Sequence, residues 1–305
     1  MTVTLADMKG RIKQMLQGYT RNQEQITWLT SNMAAGDTSF NVDPGTASLV
    51  TRGLVEIDNE LLLVNTFNAT TGLVQVAANT NGRGVENTTA ASHLTNAIVR
   101  MDPDYPLQRI TEAINDTIQS TYPDLYVMGN YEFTKVAARY EYDMPAEAED
   151  VLKVIFDTIG PSRVWPPSQS WRFNPQASLI PEDGSATGKS IQVMDQIIPG
   201  RDIRVTYTKK PGVFTSDSQD YETTVGYPER TIDMIQFGAV ARLLSGVEAA
   251  RLQQKSIEST ERAPLVPTGA ASNASQYYWN MYQKRLNEEV DRIHQLFPSY
   301  QTFLS

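Results

Sequence analysis

A chain of 305 residues is long enough for two or three domains, and 40% hydrophobic with 20% charged residues is the composition of a globular protein. Zero cysteine excludes disulfide frameworks, thiolate zinc sites, iron–sulfur clusters and cysteine nucleophiles. The 26 Lys and Arg against 35 Asp and Glu give a net charge of −9, which argues against a protein that wraps a phosphate backbone, since those concentrate cations.

The first twenty residues, MTVTLADMKGRIKQMLQGYT, hold no apolar core or small-residue cleavage site of a secretory signal, and no window reaches the roughly 20 apolar residues that span a bilayer. The expectation is a soluble chain made in a cytoplasm. Leu5, Met8, Ile12, Met15/Leu16 and Tyr19 recur at spacings of three and four, an apolar stripe on a helix capped by Thr4 or Thr2. A short apolar set, Ile26, Trp28, Leu29 and Met33, completes a predicted N-terminal helical segment over 1–35.

From 36 to 102 the period changes to two. Ser39 to Val42, Leu54 to Ile57, Leu61 to Val64, Leu73 to Val76 and Ala97 to Val99 are separated by Asp43-Pro44-Gly45, Asp58-Asn59 and Thr71-Gly72, which predicts a small antiparallel β module of about five strands. Helical spacing returns over 103–125 with Leu107, Ile110, Ile114 and Ile118, and stops before Pro123. A second β module is predicted over 130–215, with its middle, Pro161 to Pro181, read as a long ordered loop rich in proline and aromatics.

A C-terminal helical pair is predicted over 223–297. In its first helix, roughly 226–259, Ile232, Ile235, Ala239, Leu243 and Gly246 form one stripe. Met234, Gly238, Ala241 and Ser245 form a second stripe, of mostly small residues, so that contacts on two sides are expected and Gly238, Ala241 and Ser245 are candidates for packing against a neighbouring copy. The last helix aligns Tyr278, Tyr282, Leu286, Val290 or Glu289, Ile293 and Phe297, and Pro298 ends it. In the remaining tail, 298–305, Tyr300, Phe303 and Leu304 are apolar residues at a terminus, a pattern that points to docking onto a partner or back onto the chain. The order α, β, α, β, α, α lacks the βαβ alternation of parallel sheets, so the expected fold is α+β, a discontinuous helical bundle with two inserted antiparallel β modules.

Reactive constellations are scarce. Gly184 to Ser190 resembles a phosphate loop around Lys189, but Asp183 stands where glycine is needed and Ile191 to Met194 continue as a strand where a helix should begin. His93 and His294 lie about 200 residues apart, so neither a metal site nor a triad is expected, and both are read as structural or surface residues. Glu141, Asp143, Glu147, Glu149 and Asp150 form an acidic stretch, either a solvated loop or a wall that repels passing nucleic acid. Trp165, Trp171 and Phe173, among four prolines, either cap the β module or present an aromatic platform. No enzyme, cofactor or metal is expected.

The run Ile57-Asp58-Asn59-Glu60 to Val64, followed by Arg83-Gly84, Thr88 and His93, resembles a small β module of tailed-phage virion proteins, in which an I-D-x-E-x-x-x-V strand-turn-strand accompanies an R-G-x-x-x-T-x-A-x-H hairpin. The helix Pro106 to Asn115, a following β region and a C-terminal helical pair resemble phage head-to-tail connector (adaptor or neck) proteins. The resemblance implies a structural virion protein: a homo-oligomeric ring, typically a dodecamer, under the portal, joining capsid to tail. DNA would pass without specific binding through a channel for which Glu141, Asp143, Glu147, Glu149 and Asp150 are lining candidates. Its partners would be further copies, the portal protein and tail or neck proteins, with no membrane; Tyr300, Phe303 and Leu304 would engage the portal. The alternative is a baseplate or tail-fibre protein that holds a receptor glycan on Trp165, Trp171 and Phe173.

Overall fold

The structure, a computed structural model, describes residues 2–19, 24–45, 53–77, 82–158, 164–177, 186–255 and 270–296. It is an α+β chain whose strand pairings are all antiparallel among the described residues. Two compact units divide it, the first built from Met1–Thr117, Phe214–Asp220 and Ile232–Gln283, the second from Ile118–Val213, Tyr221–Thr231 and Lys284–Ser305.

In the first unit, α1 (Leu5–Leu16) begins with a capping box, in which the Asp7 amide donates to the Thr4 hydroxyl and the Thr4 amide to the Asp7 carboxylate. Its predicted stripe, Leu5, Met8, Ile12 and Leu16, is buried. Six strands follow: β1 (Gln25–Trp28), β2 (Ser39–Asn41), β3 (Gly53–Ile57), β4 (Glu60–Asn68), β5 (Leu73–Val76) and β6 (Ile98–Met101), in the sheet order β1-β6-β3-β4-β5-β2. The two ends meet. Leu29 bridges Val42, the Thr30 amide donates to the Asn41 carbonyl at 2.9 Å and the Asp43 amide to the Trp28 carbonyl at 3.3 Å, which closes the sheet into a barrel. Alternate residues of each strand fill it: Phe40 and Val42, Val55 and Ile57, Leu62 and Val64, Val74 and Val76, Val99 and Met101, with Leu29 and Met33.

The barrel therefore starts at residue 25, which corrects the predicted boundary at 36. Ile26 and Trp28 are the outward side chains of a strand whose inward residue is Thr27, so their apolar character comes from the outer face and not from a helical stripe.

Helix α2 (Leu107–Ser120) receives its N-terminal cap from the barrel, where the buried Glu56 carboxylate accepts from the Leu107 amide. Burial raises the Glu56 pKa, against the lowering effect of that hydrogen bond and of Arg100. Helix α4 (Ile232–Lys255) is buried nearly all round in its first half, through Met234, Ile235, Gly238, Ala239, Val240, Ala241, Leu243 and Leu244. The expected packing of Gly238 and Ala241 against a neighbouring copy needs correction. Gly238 faces Thr117 of α2 and Tyr282 of α5 (Ala270–Leu296), and the Ala241 carbonyl accepts from the Ser275 hydroxyl of α5 at 2.8 Å, so this stripe is covered within the chain. Ser245 is exposed and donates to the Arg242 carbonyl.

The second unit is a two-layer sandwich. One sheet pairs β7 (Val127–Thr134), β12 (Asp202–Lys209) and β9 (Asp150–Phe156); the other pairs β10 (Trp171–Asn174), β11 (Ser190–Val193) and β8 (Glu141–Asp143). A shared core of Tyr142, Val151, Val154, Ile191, Val193, Ile203, Val205 and Tyr207 joins them. Strand β10 lies inside the segment expected to be a loop. A short helix, α3 (Tyr221–Val225), precedes α4 in sequence. Between the two candidates for the inward position of the last helix, Glu289 is the buried one, neutralised by Arg230 at 3.0 Å and Arg292 at 3.4 Å.

Candidate functional site

The residues that carry the virion-module resemblance converge in the barrel on one carboxylate. Glu60 opens β4 after the two-residue turn Asp58-Asn59, where Asp58 takes a left-handed φ of 53° that Asp tolerates better than most residues. Its buried carboxylate accepts from five donors: Arg83 Nε at 2.5 Å and Nη2 at 2.9 Å, the Gly84 amide at 3.1 Å, the Ala91 amide at 2.9 Å and His93 Nε2 at 2.9 Å. Arg83 also donates to the carbonyls of Ala34, Asp37 and Ala91. Gly84 has φ of +60°, and a Cβ there would lie 2.9 Å from the Ala90 amide nitrogen, so the glycine of the Arg-Gly pair is required by geometry. Thr88 accepts from the Leu61 amide at 3.1 Å and donates to the Val85 carbonyl at 2.7 Å, tying the loop to β4.

The second nitrogen of His93, Nδ1, lies 2.8 Å from Asp58. Burial pushes the imidazole pKa down, but the hydrogen bonds to Glu60 and Asp58 outweigh it and the net shift is upward, toward the protonated ring in which both nitrogens donate. Burial likewise opposes the charge on Glu60, and the donors from Arg83, His93 and Ala91 override it, holding the carboxyl at about 2 against the usual 4.5. The Glu60 carboxylate, the Arg83 guanidinium and both ring nitrogens of His93 are committed to partners within the barrel. No ring nitrogen is left to move a proton to a substrate, and the expectation of a structural His93 fits this geometry, although its carboxylate partners, distant in sequence, were not foreseen.

These shifts fix a pH dependence. Glu60 contributes stability that is full above about 4.5 and is lost as the pH falls toward 2. His93, raised from 6.5, contributes stability that is full below about 6.5 and is lost as the pH rises through its folded value. The two together predict that the melting temperature of the barrel is highest between about pH 4.5 and 6.5 and falls on both sides. Circular dichroism melts across that range test it, and a flat profile counts against the network.

In front of the cluster lies a polar cleft of about 500 Å³ lined by Asp58, Asn59, Ser92, Gln108, Lys9 and Asp217, among others. Lys9 is buried on the apolar face of α1 and donates to Asp217 at 2.5 Å and to Asn59 Oδ1 at 3.0 Å, while Asn59 Nδ2 donates to Asp217 at 2.6 Å. The three residues fasten α1, the β3–β4 turn and the segment Phe214–Asp220 together. Lys9 was legible only as a charge at helical spacing from Leu5 and Ile12.

The other predicted site residues are dispersed. Lys189 donates to the Ala148 carbonyl at 2.6 Å and lies 3.5 Å from Glu149, next to β11 and not at a helix N-terminus. The acidic stretch has cations of its own: Glu147 accepts from the Tyr207 hydroxyl and Lys209, Glu149 lies near Lys189 and Lys210, and Glu141 accepts from Ser190 and Gln192. Asp150 accepts from the Val151 amide and Asp143 sits in the β8 ladder. Trp171 and Phe173 pack on the sandwich core, and the Arg204 guanidinium lies 3.9 Å from the centre of the Trp165 ring. His294 is exposed in the last turn of α5. Tyr300, Phe303 and Leu304 lie outside the described residues. Among the described residues there is no group of three His, Asp or Glu side chains that could hold a metal, and no helix is long and apolar enough to cross a membrane. Neither a scan of protein-family models nor a search of curated proteins finds a match to this chain.

Proposed function

We propose that the chain is a structural virion protein, a head-to-tail adaptor that assembles as a ring, typically a dodecamer, beneath a phage portal, joins capsid to tail at the head–tail junction and leaves a channel through which DNA passes without specific binding. The observation that carries this reading is the convergence of Glu60, Arg83, Gly84 and His93 on one buried network, with the exposed Asp58 bonded to His93 at its edge and Thr88 tying the same loop to β4: residues of the virion-module resemblance serve as a clasp. We read the chain as non-enzymatic, since Glu60, Arg83 and His93 are held by one another, as are Lys9, Asn59 and Asp217 at the cleft. We take α1, α2, α4 and α5 as a discontinuous bundle from which the β modules project. The C-terminal tail, with Tyr300, Phe303 and Leu304, is the proposed portal contact. With Trp171 and Phe173 drawn into the sandwich core, the glycan-binding alternative has less to rest on.

Incubating the chain with purified portal rings and imaging the product by negative stain tests the reading. A second ring of density stacked on the portal is the expected result. Portal rings that emerge unchanged at saturating chain concentration would refute it.

A further inference from the structure

The cleft before the barrel holds a lysine, an asparagine and an aspartate in one closed triangle of contacts. Lys9 occupies a position of the buried α1 stripe, four residues after Leu5 and three before Ile12, and is 4% exposed. Lysine is almost never buried this far unless paired. Its Nζ donates to Asp217 Oδ1 at 2.5 Å and to Asn59 Oδ1 at 3.0 Å, and Asn59 Nδ2 donates to Asp217 Oδ2 at 2.6 Å. An ion pair needs only the first of these contacts. Here the carboxylate touches the amine with one oxygen and the carboxamide nitrogen with the other, while the amine rests against the carboxamide itself.

The three groups are held in place by the elements that carry them. Asn59 is the second residue of the two-residue turn between β3 and β4, whose ends pair as Ile57 with Glu60. Asp217 sits in a segment fastened to the start of α1, where the Leu5 amide donates to the Gln219 carbonyl at 3.1 Å and the Ala6 amide to the Asp217 carbonyl at 3.2 Å. The same segment is braced internally, since Gln219 Oε1 accepts from the Thr215 and Ser216 amides at 2.7 and 3.0 Å. Asn115 of α2 exchanges two hydrogen bonds of 2.9 Å with the Phe214 backbone. Groups fixed in this way behave as though at very high concentration, because approach and orientation are already in place.

We infer that Lys9 and Asn59 become joined by an isopeptide bond that the folded chain forms by itself, with Asp217 as the proton carrier. The Lys9 ammonium passes a proton to Asp217 Oδ1, and the freed Nζ attacks Asn59 Cγ. For this the amine moves from the edge of the amide to its face, a displacement that the flexible lysine stem allows. Asp217 then hands its proton to Nδ2 as the Cγ–Nδ2 bond breaks, and Nζ gives a second proton to the departing ammonia, which leaves as ammonium. One N–C bond forms and one breaks. No oxidant or reductant is needed, and the lysine's positive charge departs with the ammonium.

The bond would tie positions 50 residues apart. In a chain without cysteine it restricts the unfolded state as a disulfide does elsewhere. Each chain reacts once and is its own substrate, so no turnover is involved.

Intact-mass spectrometry of the full chain after overnight incubation at neutral pH, followed by tryptic mapping, tests the bond. The expected mass is one ammonia below that of the sequence. The expected peptide joins the N-terminal segment ending at Arg11 to residues 53–83, because trypsin does not cut at an acylated Lys9. Lys9→Arg keeps a cation but should show no loss of ammonia. Asp217→Asn should slow the joining by about a hundredfold, the scale of a lost acid–base group, and leave most chains at full mass. A native chain that is folded by circular dichroism yet keeps its full mass overturns the inference. So does a loss of ammonia without the joined peptide, which would place the loss at another asparagine, for instance by cyclisation at Asn81-Gly82. Asp217→Asn that joins as completely as the native chain overturns the role given to Asp217, and the native-chain measurement decides the bond whether or not that variant folds.

Discussion

Replacing Glu60 by Gln should melt the barrel of the first unit about 10 °C or more below the native chain, by a cost of about 3–5 kcal/mol. The amide preserves the volume and one acceptor oxygen, but it leaves the Arg83 guanidinium buried without the negative charge that it faces, and His93 without the carboxylate that holds its pKa up. Breaking a buried pair by removing one partner costs far more than the pair contributes over an apolar replacement, because the stranded charge keeps its desolvation penalty. Two observations set the scale. Glu60 Oε2 accepts from Arg83, Ala91 and His93 at 2.9 Å each, and the carboxyl titrates at about 2. Asp58→Asn is the contrasting case: its side chain is 59% exposed, so losing its charge should cost about 1 kcal/mol or less. Differential scanning calorimetry on both variants separates the two. Glu60→Gln melting alongside the native chain would show that the clasp is energetically neutral.

The second large effect is expected at Gly238, where valine should cost about 3 kcal/mol, the upper end of ordinary overpacking. A Cβ at this position would sit 2.4 Å from Thr117 Cγ2 and 3.0 Å from the Tyr282 ring. Thr117 cannot withdraw easily, since its hydroxyl is bonded to the Ala113 carbonyl at 2.7 Å and fixes the rotamer. The three helices would have to separate. Urea denaturation of a dilute sample should reveal the loss without any assembly taking place, and full stability there combined with failed assembly would return Gly238 to an interface between copies.

Much of this fold was legible because inward residues alternate cleanly. The pairs at 55/57, 62/64, 74/76 and 99/101 all fill the barrel, and the Thr4 cap and the stripe of α1 stand where the pattern puts them. Strand β1 was not legible, because its large apolar residues, Ile26 and Trp28, face outward and its inward residue is a threonine. The seam Leu29–Val42 joins strands that no local pattern links. The clasp was half legible: Glu60, Arg83 and His93 stood out through the resemblance, but the charge pairing spans 23 and 33 residues and leaves no mark in spacing. Lys189, by contrast, carried a local motif, and its surroundings supply a strand and a carbonyl where phosphate would need a helix N-terminus.

The closed seam has one more consequence. An open sheet offers a row of unpaired amides and carbonyls onto which any passing strand can add, and chains held at high local concentration are the most exposed to that hazard. Through Thr30 with Asn41 and Trp28 with Asp43, the barrel spends both of its edges on each other. The barrel therefore offers no open strand edge to a crowded neighbour, and it cannot seed fibre growth while its seam is shut.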